Sequence, residues 1–147
     1  MANAIDIRDE VYTYLAGLNP TGPAAKPVAY FKTVVPVIEM EDEEDVRVDV
    51  FPLTRSATRF DRGVWRRGYV IRIVIRCQNR EASDVLRTSL DEQFVAFAET
   101  IDKSLENLRS QLFAVGSIEQ KDDIAREQRV ENNLLVSVSD VECVVIE

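Results

Sequence analysis

The chain opens with apolar residues that repeat at the helical period. From Ala4 to Leu18 they recur at steps of three or four, which places them on one face of a helix. Asn3 is a suitable N-cap, and Asp6 suits the positive start of the helix dipole. The prolines and glycine after Asn19 predict a stop and then a loop. The pattern therefore predicts an amphipathic helix over residues 4–18.

The next segments alternate apolar and polar positions with the period of a strand. Residues 28–38 are rich in β-forming residues, and Pro36 predicts that this strand lies at an edge or ends at the proline. A second strand is predicted from Val46 to Val50, closed by Pro52. The clearest alternation runs from Tyr69 to Cys77. Residues 46–77 together predict a long hairpin with a protruding basic arm at about 53–68.

A second helix is predicted after a capping box formed by Ser89 and Glu92. Its apolar face runs from Leu90 to Leu112, and Gly116 is a suitable end. The polar residues 117–133 are compatible with a short helix or a long loop.

A last strand starts at Leu134, and its alternation changes phase in the middle. The apolar positions shift from even to odd numbers between Val138 and Val141, which predicts a β-bulge near Ser139 or Asp140. The predicted fold is α+β in the order α-β-β-β-α-β. It is a single domain of residues 1–147, with the long helix packed on one face of a mostly antiparallel sheet.

The amino-acid composition limits the kinds of catalysis and metal binding that this chain can support. The chain has no histidine, which excludes histidine triads, histidine acid–base catalysis and most zinc sites. No general base, nucleophile, glycine-rich phosphate loop or spaced set of acidic metal ligands emerges, so we expect neither an enzyme nor a cofactor. Cys77 and Cys143 lack a CxxC spacing and are interpreted as buried thiols. Apolar runs are too short to span a bilayer, and the N-terminus does not resemble a secretory signal, so we expect a cytoplasmic origin.

Charge is segregated along the chain. The net charge is −8, yet residues 46–80 carry nine arginines against Asp49 and Asp61, whereas the segments on both sides are acidic. A basic arm of this kind can pair with acids of its own chain, or with the acidic run of an identical neighbour and so close a ring. The sequence leaves both alternatives open. The candidate subunit interface consists of Arg55, Arg59, Arg62, Arg66 and Arg67, facing Glu41, Asp42, Glu43, Glu44 and Asp45.

The layout resembles that of the tail terminator (tail completion) proteins of long-tailed bacteriophages. The resemblance rests on the order of elements, on Val48-Asp49-Val50-Phe51-Pro52 before an arginine-bearing segment, and on the strand from Ile71 to Ile75. It implies a virion structural protein that forms a ring, usually a hexamer, at the head-proximal end of the tail. Its implied partners are the tail tube protein and a head–tail connector or stopper protein. DNA would pass through the ring without being read.

Two alternatives come from other readings of the same features. One is a connector or stopper ring component with a similar small fold. The other is a nucleic-acid-binding module that uses the arginine-rich arm, with Trp65 and Tyr69 available for stacking. The acidic character of the whole chain, with a pI of about 4.7, weighs against the second alternative.

Overall fold

In the computed structural model of the protein, the described residues form two helices and a five-stranded sheet, and the helices pack on one face of the sheet. The structure describes residues 3–34, 46–61, 64–79, 81–121 and 134–146, with the backbone alone at 54–61, 64, 65, 134 and 146. Its elements, in chain order, are α1 (Ala4–Leu18), β1 (Val28–Lys32), β2 (Val46–Asp61), β3 (Val64–Gln78), α2 (Asp84–Glu106), β4 (Ala114–Gln120) and β5 (Leu134–Ile146). A short 3₁₀ turn at Pro23–Ala25 precedes β1.

The strands lie in the order β1-β2-β3-β5-β4. β1 pairs with β2 in parallel, and the other three neighbouring pairs are antiparallel. The predicted α+β class and mostly antiparallel sheet are confirmed. β4 is an additional strand that the sequence pattern did not predict, because only two of its apolar residues, Val115 and Ile118, pack against the core.

α1 begins and ends where the pattern predicts. Asn3 accepts from the Asp6 N–H at 2.9 Å, and Asp6 accepts from the Asn3 N–H at 3.0 Å, which completes a capping box. Asn19 ends the helix in the left-handed conformation with φ 39°, a region that asparagine tolerates better than most residues. Local sequence alone therefore sets both ends of α1.

The core lies between the helices and one face of the sheet, which we call the helix face. α1 contributes Ile7, Val11 and Leu15, and α2 contributes a face that begins at Leu90 and Phe94. The sheet contributes alternate residues: Val46, Val48 and Val50 of β2; Tyr69, Ile71, Ile73, Ile75 and Cys77 of β3; and Leu135, Val141, Cys143 and Val145 of β5. Burying each large apolar side chain contributes about 1.5–3 kcal/mol.

The predicted hairpin is present, but its first strand does not end at Pro52. β2 continues to Asp61 and pairs with β3 from Arg47↔Arg76 to Asp61↔Val64. Proline is tolerated there because β1 pairs with β2 only as far as Val50, and because the register shifts between Pro52 and Thr54. The open edge and the irregularity remove the need for an N–H at this position.

α2 differs from the prediction at both ends. It begins at Asp84 after Ser83, five residues before the predicted cap, and Ser89 lies inside the helix, where its hydroxyl accepts from Gln93. It ends at Glu106, short of the predicted Gly116. Leu108 is still buried, but beyond the helix, and Leu112 is exposed. For residues 117–133 the sequence was compatible with a short helix or a long loop. The structure instead has β4 as far as Gln120, and residues 122–133 lie outside the described residues.

The predicted bulge in β5 is wrong. β5 pairs with β3 in one continuous register, from Arg66↔Ile146 to Gln78↔Leu134. The odd-numbered residues face the helices throughout, so Ser137 and Ser139 take core-facing positions. Val136 and Val138 pack with Val74 on the opposite face. The apparent phase change is therefore two serines in apolar positions, not an extra residue.

Both cysteines are buried and free, as predicted. Cys77 pairs in register with Leu135, and Cys143 with Tyr69, so they do not face each other across the strands. Burial, and then the charge of Glu142, raises the pKa of Cys143 to about 12. Neither helix of the described residues has the length and apolar character needed to cross a bilayer.

Candidate assembly surface

The β2–β3 hairpin extends past its neighbours in the described part of the sheet. β1 covers β2 only as far as Val50, and β5 covers β3 only from Arg66 onward. Among the described residues, the rows Arg59↔Trp65 and Asp61↔Val64 therefore lie at the end of a two-stranded ribbon. Backbone N–H and C=O groups on the outer side of such a ribbon are available to another chain.

The arginine-rich arm (residues 53–68) includes the end of this ribbon, but its residues Arg66, Arg67 and Gly68 also pair with β5. The register pairs Arg55 with the core residue Tyr69, and Arg67 with Ala57. Strand alternation therefore places positions 55, 59 and 67 on the helix-face side of the ribbon, and position 66 on the other side. The side chains of Arg55, Arg59 and Arg62, and the predicted acids Glu41 to Asp45, lie outside the described residues.

Arg66 has a carboxylate partner in its own chain. Its Nη2 donates to Oε1 of Glu142 at 3.1 Å, and both side chains are substantially exposed. An exposed pair of this kind contributes about 0–1 kcal/mol. The assignment of all five arginines to a subunit interface stays a prediction, and for Arg66 such a contact would compete with Glu142.

Three other arginines of the same region are held on the second face of the sheet, the one that α1 and α2 do not cover. Arg47 donates from Nε to both oxygens of Asp49 at 3.1 Å, and Arg76 donates from Nη2 to the same carboxylate at 2.7 Å. Arg47 also lies over the ring of Phe31, 4.0 Å from its centroid. Breaking a buried pair of this type costs about 3–5 kcal/mol, so this cluster is structural.

Arg72 has the best geometry of the ion pairs. It donates from Nε and Nη2 to the two oxygens of Asp140, its register partner on β5, at 2.7 and 2.9 Å. The hydrogen bond to Asp140 raises the pKa of Arg72, with burial acting against it. The sequence does not reveal these partners, because Asp140 lies 68 positions along the chain.

A polar site missed by the sequence analysis lies between α2 and β5. Asp102 of α2 faces Ser139 of β5, which is only 2% exposed. The hydroxyl lies close enough to favour the charged carboxylate, yet neither Ser139 Oγ nor Asp102 Oδ1 has a well-formed hydrogen bond. Burial dominates and raises the pKa of Asp102, and Glu106 and Glu99 act in the same direction. The serines at 137 and 139 were the available signal.

The arrangement offers docking chemistry: charged side chains, a strand ribbon and unpaired polar atoms. Within the described ranges, no group of three or more acidic or cysteine side chains is arranged to hold a metal ion. No protein-family model matches this chain, and no curated protein matches it in sequence.

Proposed function

We propose that this protein is a ring-forming structural subunit of a phage virion, a tail terminator that caps the tail tube and joins the tail to the head connector. The observation that carries the proposal is the arginine-rich end of the β2–β3 hairpin. Among the described residues it extends past β1 on one side, and its last two rows, Arg59↔Trp65 and Asp61↔Val64, also extend past β5 on the other. Among the described residues, no strand pairs with the outer edges of those last two rows. A neighbouring subunit gains a docking element with both charge and free strand edges.

The mechanism is geometric. A contact between two different surfaces of one subunit is heterologous, and its repetition around an axis closes a ring. One face of that ring fits the end of the tube and occupies the position of the next tube ring. The other face presents different side chains to the connector. The lumen lets DNA pass without sequence readout, and the site of action is the neck of the particle.

The test is the mass of the assembly with and without purified tail tube protein, measured by analytical ultracentrifugation. We expect a closed ring, either of the protein alone or after tail tubes are added. The family resemblance implies that this ring is a hexamer. The double variant Arg59→Glu/Arg62→Glu should lose the ring while its far-UV spectrum stays unchanged. The matched control is Arg109→Glu, an exposed arginine outside the arm. Unchanged assembly in the double variant, or no ring with tubes present, would overturn the proposal.

Electron microscopy of particles separates the proposal from its alternatives. Loss of a terminator gives overlong tails, whereas loss of a stopper gives heads that leak DNA. A nucleic-acid-binding module would instead show DNA affinity that falls steeply as salt rises, since bound phosphates release counterions. Overlong tails together with weak DNA affinity support the tail terminator, and any other combination contradicts it.

A further inference from the structure

α2 carries all of its acidic residues on one flank. At 3.6 residues per turn they lie within an arc of about 100°, and the two basic residues of the helix, Arg87 and Lys103, lie outside that arc. We call this set the acidic flank; it consists of Asp84, Asp91, Glu92, Glu99, Asp102 and Glu106. The helix has 23 residues, so the acidic flank is about 30 Å long.

The acidic flank points away from α1, toward the β4 edge of the sheet. On the opposite flank of α2, the Ser104 carbonyl accepts from the Tyr14 hydroxyl at 2.7 Å, and Gln93 accepts from the Ala24 N–H at 2.6 Å. On the acidic side, Asp102 faces Ser139 of β5, and β4 is the next and last strand. The flank therefore lies at the opposite edge of the sheet from β1 and β2.

The carboxylates of this flank lack cationic partners among the described residues. Asp91 accepts a hydrogen bond from Asn79 at 2.8 Å, but none of the six forms an ion pair there. Like charges three or four positions apart, such as Asp102 and Glu106, destabilise a helix. An approaching cation would remove that cost.

Asp102 and Ser139 supply a second, independent indication. Ser139 Oγ is buried, and although it lies close to Asp102, neither it nor Oδ1 of Asp102 has a well-formed hydrogen bond. Both atoms can accept a hydrogen bond, and a guanidinium supplies five donors in a planar fork. The half-buried position of Asp102 lets such a group reach it from the surface.

We propose that the acidic flank of α2 is the docking site for the arginine arm of a second copy of this chain, an inference that rests on the proposed ring. Positions 55 and 59 lie on the same side of β2, about 13 Å apart along the strand. Glu99 and Glu106 lie two helical turns apart, about 10 Å. The charges thus match in sign and in approximate spacing. The arm is the end of the β2–β3 hairpin, whereas the flank lies on α2. Because the two are separate surfaces of one subunit, head-to-tail docking uses both on every subunit and closes the ring.

The experiment is a charge exchange, followed by ultracentrifugation in the presence of tail tube protein. Glu99→Arg/Glu106→Arg and Arg55→Glu/Arg59→Glu should each weaken assembly at least about tenfold. Combining all four substitutions should restore assembly to within a few-fold of the original. Recovery cannot come from a misfolded chain, so it distinguishes lost docking from lost folding. The matched control is Glu10→Arg, an exposed acid on α1, which should assemble normally.

The outcomes separate this inference from the proposed function. If the arm variant loses the ring while the flank variant keeps it, the ring stands but its acidic partner lies elsewhere, with Glu41 to Asp45 as the first candidate. If the fourfold variant fails to recover assembly, the acidic flank is not the docking site of the arm. If the arm variant assembles normally, both the inference and the proposed function fail.

Discussion

Asp102 shows how a single residue can carry a cost in the isolated subunit. Asp102 projects from α2 toward β5, and its Oδ1 is buried without a well-formed hydrogen bond. Burial raises the pKa of its carboxyl from the ordinary value of 3.8. Buried polar atoms without partners cost about 1–3 kcal/mol each. A residue of this kind is typical of a site that is completed by another molecule.

Replacing Asp102 with asparagine should make the free subunit more stable at neutral pH. A raised pKa means that the folded state favours the protonated carboxyl, so this stabilisation is present below pH 3.8 and is lost as pH rises through the folded-state pKa. Asparagine does not ionise, so Asp102→Asn removes the free-energy cost of burying the charged carboxylate at neutral pH. We expect a gain of about 0.5–2 kcal/mol at pH 7 and almost none at pH 3, from urea unfolding at both pH values. A variant that is less stable than the original at pH 7 would contradict the burial argument.

At the scale of whole elements, local signals were predictable from the sequence and long-range ones were not. The limits of α1 and its cap depend on neighbours a few residues away, and the apolar face of α2 follows the helical period. The start of α2, the length of β2 and the existence of β4 depend on pairing with distant strands. In the candidate site, the arm itself was predictable, but the Arg66–Glu142 pair was not, because 76 residues separate its members.

β5 is the clearest case of a pattern that misleads. Ser137 and Ser139 occupy core-facing positions, while Val136 and Val138 occupy the other face. All four are buried, so for two rows the polar residues lie on the helix face and the apolar ones on the opposite face. Periodicity reports hydrophobicity and not direction, so a bulge and a polar insertion look the same in the sequence. The acidic flank of α2 was not predicted for a related reason. The helical period identifies the apolar face, but it does not show which structure the polar flank of the helix lies beside.

Two glycines, one inside α1 and one in the connection that follows it, make a matched test of element packing. A Cβ at Gly22 would lie 2.5 Å from the Lys26 carbonyl oxygen and 2.8 Å from Val28, whereas one at Gly17, inside α1, would meet nothing within 4 Å. Gly22→Ala should cost about 1–3 kcal/mol, because the turn before β1 must shift. Gly17→Ala should stabilise by about 0.5–1 kcal/mol, because alanine loses less backbone entropy in a helix. Urea denaturation measures both, and equal effects would contradict the packing of this turn.

For the whole molecule, the described charges fall into two groups with different exposure. The arginines of the sheet's second face are paired internally, and the Asp49 carboxylate at the centre of that cluster is 1% exposed. The acids of α2 form no ion pair within the described residues. Internal pairing sets the fold, whereas the second group sets the contacts that we propose between subunits.

Salt should therefore separate assembly from folding. The screening length falls from about 10 Å at 0.1 M salt to about 3 Å at 1 M, so the proposed contacts between arm and flank should weaken while buried pairs change little. We expect the ring to dissociate at least about tenfold more readily at 1 M than at 0.1 M sodium chloride, while the thermal unfolding midpoint of the subunit shifts by only a few degrees. Sedimentation and calorimetry on the same samples measure the two effects. Assembly that strengthens with salt would instead indicate an apolar interface, and the exposed Val85, Leu86 and Val95 of α2 would then be the residues to substitute first.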